Sequence, residues 1–111
     1  MKSIVDNDIS VCKDDECYFL FYFTAKWCGP CQKIKPLLEK ISEGSDPTKL
    51  KIFMIDIDDN DKLAKEFNIR SVPSFYLYKK KEIIGQTGGS DIKKVQELLK
   101  LMTHDNDDNN K

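Results

Sequence analysis

A three-layer α/β sandwich, with a mixed central β-sheet flanked by helices, is the fold class predicted by three features of this chain. Continuous apolar runs of strand length alternate with segments of helical period, the last two runs are separated by lysines alone, and 111 residues leave room for a single core. Apolar side chains make up 40% of the chain and charged ones 33%, so a core that takes roughly 65% of the unfolded surface out of water is within reach. The same balance argues against disorder throughout. Basic residues number 18 and acidic ones 19, leaving a net charge of -1. With no cationic excess to neutralise phosphates, nucleic acid is a poor partner.

A weak opening strand is expected around residues 3–5. Residues 18–24 read YFLFYFT, continuously apolar and aromatic, which suits a central strand covered on both faces. From Cys31 the pattern turns helical, with Ile34, Leu37, Leu38 and Ile41 inward and Lys33, Lys35, Glu39 and Lys40 outward. Pro36 lies inside that helix and is expected to kink it. Gly44, Ser45, Asp46 and Pro47 break the pattern before a second buried strand over residues 52–57. Asp58 to Asn60 offer capping side chains for a short helix ending near Asn68, with Leu63 and Phe67 inward. Residues 74–78 and 82–86 follow as strands joined by Lys79, Lys80 and Lys81. So short a connection makes a hairpin and not a crossover, which makes the sheet mixed. Ser90 is placed to cap a last helix with Ile92, Val95, Leu98, Leu99 and Met102 inward. The Asp- and Asn-rich end reads as a disordered tail, dividing the chain into a domain over 1–104 and a tail over 105–111.

Residues 1–10 contain no apolar core of a secretory signal, and no apolar run approaches the ~20 residues of a spanning helix. A soluble, cytoplasmic protein is expected. A reducing cytosol keeps structural thiols open, so the four cysteines point to catalysis or metal instead of a disulfide scaffold.

Cys28 and Cys31, separated by Gly29 and Pro30, stand between the buried strand and the amphipathic helix. At a helix N-terminus, unpaired N–H groups and the positive end of the dipole stabilise an anion, so Cys28 is the candidate nucleophile. Pro30 is tolerated in the first turn and holds the two sulfurs a turn apart. Lys26 adds a positive charge nearby, worth little if solvated. A Cys28 thiolate can attack a partner's disulfide, and Cys31 can then attack the mixed disulfide and release the reduced partner. Zinc is the rival reading, with Cys12 and Cys17 completing four thiolates. Against it, an aromatic strand separates the two pairs and neither sits in a Gly-rich knuckle. His104, beside the polar tail, reads as a helix-end side chain and not a ligand. Cys12 and Cys17 themselves read as ordinary thiols, with a regulatory disulfide between them as the alternative.

Trp27, Cys28, Gly29, Pro30 and Cys31 spell WCGPC, which resembles the active site of the thioredoxin family. Pro36 falls where that family's helix proline lies, Arg70 to Ser74 resemble its segment with a cis-proline opposite the active site, and Gly89 matches a glycine flanking the substrate groove. The resemblance covers roughly residues 18–102, and the segment before it matches poorly. It implies a thioredoxin-like sandwich and a protein-disulfide reductase in which Cys28 attacks and Cys31 resolves. Trp27, Gly29 and Pro30 would form one wall of the substrate groove, Val72 would offer backbone hydrogen bonds to the bound chain, and Pro73 and Gly89 would complete the floor and rim. The resemblance further implies a monomer with no bound cofactor and no metal. Its reducing equivalents would come from NADPH through a flavoprotein thioredoxin reductase. Alternatives are a redoxin serving one peroxidase, or a binding or assembly module on the same fold that does not need its thiols. One position departs from the family pattern: Tyr22 stands where members carry a buried Asp. A phenol with an ordinary pKa of ~10 cannot serve as base at neutral pH. Met54 likewise stands where many carry Lys, and both read as core side chains.

Overall fold

The structure, a computed structural model, describes residues 1–10, 12 and 15–109, and for 103–109 the backbone alone. Its elements run β1 (Lys2–Ile4), β2 (Tyr18–Thr24), α1 (Gly29–Gly44), β3 (Leu50–Asp56), α2 (Asp61–Glu66), β4 (Ser74–Lys79), β5 (Glu82–Gly88) and α3 (Ile92–Asn109). The five strands form one sheet in the order β1-β3-β2-β4-β5. β1 and β2 are parallel to β3, β4 is antiparallel to β2, and β5 is antiparallel to β4. The sheet is mixed, as the short lysine connection required.

β2 is the middle strand, and all seven of its residues are buried. Because successive strand residues point to opposite faces, Tyr18, Leu20 and Tyr22 enter one core and Phe19, Phe21 and Phe23 the other. The first core is closed by Cys31, Ile34 and Leu38 of α1 and by Val95 and Leu98 of α3. The second is closed by Leu63 of α2, with Phe67, Ile9 and Cys12 packed against it. Two helices, the sheet and one helix make the three layers. Gly85 of β5 lets α3 come close, since a Cβ there would meet Leu98 and Leu101 methyl carbons at 2.9 and 2.8 Å. Among the described residues, no helix is long and apolar enough to cross a membrane.

Several local expectations are corrected. α1 begins at Gly29, ahead of the start expected at Cys31, and Leu37, expected inward, is 40% exposed. Asn60 is the N-cap of α2 by position, yet its side chain does not cap. Instead it is buried, accepts the Asn7 N–H at 2.8 Å and donates to the Ile4 and Asp56 carbonyls at 3.0 Å each. The cap comes from far away in sequence, as Asn7 Oδ1 accepts the Leu63 N–H at 3.0 Å. Phe67 lies just beyond the helix and packs edge-on against Phe21 at 5.6 Å. On α3 the cap is Asp91 and not Ser90, for Asp91 Oδ1 accepts the Lys93 N–H at 3.0 Å. The backbone of α3 runs from Ile92 to Asn109. Once a helix is nucleated, each added residue completes a backbone bond at little cost, even with weak helix formers such as Asp and Asn.

Candidate active site

β2 and α1 meet in a short connection tied down by its own backbone. The Cys28 N–H donates to the Ala25 carbonyl at 3.2 Å, the Gln32 N–H to the Cys28 carbonyl at 3.2 Å, and the Gln32 side-chain amide to the Ala25 carbonyl at 3.0 Å. These bonds set Cys28 at the N-cap of α1, in extended conformation. Its sulfur takes the role that a serine or aspartate oxygen usually takes, accepting the Cys31 N–H at 3.2 Å. Pro30 sits in the first turn, where no N–H is needed.

Cys28 and Cys31 are joined in a disulfide, with their Cα atoms 5.3 Å apart, within the ordinary span of such a bridge. The two sulfurs differ in access, since Cys28 is 6% exposed and Cys31 is fully buried. A partner's disulfide therefore meets Cys28 first. Cys28 Sγ lies 3.6 Å from the Val72 carbonyl oxygen, and the Val72–Pro73 peptide is cis. Gly89, with φ of 89°, donates its N–H to the Pro73 carbonyl at 3.0 Å. Only glycine takes that φ at no steric cost. The structure thus brings Cys28, Cys31, Val72, Pro73 and Gly89 to one end of the sheet.

Trp27 is 68% exposed beside Cys28, and Gly29 and Pro30 are exposed with it. Its indole N–H donates to Asp58 Oδ2 at 2.9 Å. Asp58, read from sequence only as a possible helix cap, is the residue that sequence reasoning missed. The signal available was a polar cluster directly after a buried strand parallel to β2, which places it at the same end of the sheet as the CxxC. By contrast, a cavity of about 340 Å³ lined by Met1, Lys2, Leu50, Ile52 and Phe53 opens at the start of β3, at the opposite end.

Tyr22 fills the core beneath the site, and its hydroxyl donates to the Cys31 carbonyl at 2.6 Å. Burial pushes its phenol above the ordinary value of 10.0. Met54 is half-buried against the same core. Cys17 and Cys12 belong to the other face of the sheet, away from the CxxC pair. Cys17 is buried and donates to the Tyr18 carbonyl at 3.3 Å. The Cys12 thiol is pushed up to about 11, by burial first and by the nearby Cys17 second. Both remain thiols. With the pairs on opposite faces, their four sulfurs do not converge. The side chain of His104 lies outside the described residues.

Residues 6–104 match the family described as Thioredoxin. The chain is 38% identical over 77 residues to the thioredoxin of Malassezia sympodialis, covering 69% of this chain and 73% of that protein. With thioredoxin-1 of Schizosaccharomyces pombe it shares 37% identity over 100 residues, covering 89% and 86%. Among solved structures, reduced Schistosoma mansoni thioredoxin superposes with a TM-score of 0.83 at 29% identity, over 91% of this chain and 96% of that one. The chain belongs to the thioredoxin family and is a protein-disulfide oxidoreductase, whose adjacent Cys28 and Cys31 fit dithiol-disulfide exchange.

Proposed function

We propose that this protein reduces disulfides in partner proteins, with Cys28 as nucleophile and Cys31 as resolving residue. The observation that carries the assignment is the position of Cys28 Sγ at the N-cap of α1, on the Cys31 N–H. In the reduced protein the same N–H and the helix dipole favour a thiolate at Cys28. That thiolate attacks one sulfur of the substrate disulfide, and the other sulfur leaves as the first free thiol. Cys31 then gives up its proton and attacks Cys28 Sγ. The Cys28–Cys31 bond forms, the bond to the substrate breaks, and the substrate sulfur leaves with the electron pair and takes up a proton. Two electrons have passed from the pair to the substrate.

Trp27, Gly29 and Pro30 make the wall against which the substrate chain lies, with Trp27 oriented by Asp58. Val72, Pro73 and Gly89 form the opposite rim, where exposed backbone can pair with an extended segment. The protein works as a monomer in the cytoplasm and carries no cofactor of its own. A flavoprotein thioredoxin reductase drawing on NADPH regenerates the dithiol.

Reduction of insulin disulfides with dithiothreitol as electron donor tests the assignment. Cys28→Ser is expected to fall to the uncatalysed background, whereas Cys31→Ser stalls as a mixed disulfide visible by mass. Retention of activity by Cys28→Ser would refute the reading.

A further inference from the structure

We infer that Tyr22 is a positioning residue for the second half of the exchange: by holding the Cys31 carbonyl, its hydroxyl keeps the resolving sulfur within reach of a mixed disulfide on Cys28. The inference rests on the roles just proposed for the two cysteines. Its structural basis is a juxtaposition at one residue. The N–H of Cys31 donates to Cys28 Sγ at 3.2 Å, and its C=O accepts from Tyr22 at 2.6 Å. Both backbone polar groups of Cys31 are thereby engaged by the site.

Tyr22 is suited to the task because it is fixed itself. Its ring is fully buried in β2 and stacks on Phe75 of β4, with centroids 5.3 Å apart and planes 10° from parallel. Phenylalanine would fill the same volume, so packing does not account for the hydroxyl. Local helix chemistry gives that hydroxyl a use. Pro36 has no N–H to offer the Gln32 carbonyl, so the ladder of α1 is weakened immediately beside Cys31. The donor from the sheet thus supports the helix one residue before the carbonyl whose helical donor Pro36 removes.

The support matters most in the mixed disulfide. In the mixed disulfide, as in the reduced protein that forms it, no covalent link holds Cys31, and the resolving attack depends on how well the Cys31 sulfur is kept near Cys28 Sγ. Misplacing a reacting atom by about 1 Å can cost on the order of a hundredfold in rate. Partial release of one backbone anchor is expected to cost about tenfold. The first attack, made by Cys28, should be insensitive to the anchor.

The two steps separate cleanly. Mixed-disulfide formation is timed on the Cys31→Ser background with and without Tyr22→Phe, and resolution is timed by rapid quench in chains retaining both cysteines. The expected result is a resolution rate about tenfold lower in Tyr22→Phe, with mixed disulfide accumulating, while formation changes by less than about twofold. Tyr22→Leu, which also lacks the hydroxyl, repeats the test should the first variant fold poorly. Phe75→Leu, which weakens the stack that fixes Tyr22 but keeps the hydroxyl, is expected to slow resolution less than Tyr22→Phe does. Native-rate resolution in Tyr22→Phe, or an equal slowing of both steps, would overturn the inference and leave the cysteine roles standing. Failure of Cys31→Ser to trap a mixed disulfide, with Tyr22 intact, would overturn the roles and the inference together.

Discussion

The two faces of the sheet are built from one strand and do different work. Odd-numbered residues of β2, namely Phe19, Phe21 and Phe23, pack among Phe53, Phe67, Tyr76 and Tyr78. Even-numbered residues meet the aliphatic sides of α1 and α3, with the active-site cysteines in the same cluster. The aromatic face gains its stability from area and ring contacts, which tolerate no polar atom without a partner. The site face has Tyr22, whose hydroxyl touches the catalytic helix. A shift of β2 by one residue would exchange the faces and leave a phenylalanine under Cys31. The register with β3, from Tyr18 opposite Leu50 to Thr24 opposite Asp56, is therefore a determinant of chemistry as well as of stability.

The largest test of this division is Phe21→Ala. Phe21 is fully buried and within 5.2 Å of Tyr78 and 5.6 Å of Phe67, centroid to centroid. Its truncation is expected to destabilise the fold by about 3–5 kcal/mol in chemical denaturation. The rate of disulfide exchange per folded molecule should be unchanged, since no atom of the site is lost. A fall in that rate, measured well below the unfolding midpoint, would show that the faces are coupled.

A smaller effect is expected at Asn60, which joins the aromatic side to the sheet edge. Asn60→Ala removes the acceptor of the Asn7 N–H and the donor to the Ile4 and Asp56 carbonyls. Groups left buried without partners cost about 1–3 kcal/mol each, less where water reaches them, so a loss of about 2 kcal/mol is expected in denaturant unfolding. Because Asn7 also caps α2, the loss should appear first as faster hydrogen exchange in α2, with α1 unaffected.

Asn60 also marks the limit of what was legible in the chain. The central strand, the catalytic helix and the hairpin could be read because each is a local pattern: a run, a period of 3.6, or a connection too short to cross over. WCGPC was legible because its chemistry is confined to five adjacent residues. What could not be read depends on residues far apart. Asn7 caps a helix 56 positions away and Asp58 bonds a tryptophan 31 positions away, while the Tyr22 hydroxyl finds a carbonyl only because Cys31 folds back over β2. The hairpin shows a different limit. Lys80 and Lys81 both adopt positive φ, 53° and 65°, the conformation of a two-residue turn that Asn and Gly usually supply. There the pairing of β4 with β5 overrides the residues' own preference.

The smallest effect separates the faces by their response to alkali. On the aromatic side, Cys12 has its thiol raised from 9.0 to about 11, chiefly by burial and next by Cys17 and Asp8, with Lys51 opposing. The folded chain thus holds a proton that the unfolded chain releases. The resulting stability is present in full below pH 9 and is lost as pH rises from 9 toward about 11. Cys12→Ser should consequently show a shallower decline over that window, with the Cys28–Cys31 bridge kept oxidised. Further decline is expected above pH 10, where burial holds the phenols of Tyr22 and the half-buried Tyr78 above their ordinary value of 10.0. In the reduced protein at pH 8, a thiol at about 11 instead of 9.0 has about a hundredfold less thiolate. Iodoacetamide should accordingly label Cys28 well before Cys12. Equal labelling rates, read by mass, would mean that the electrostatic advantage of the helix N-terminus is absent and that the two faces do not differ in thiol chemistry after all.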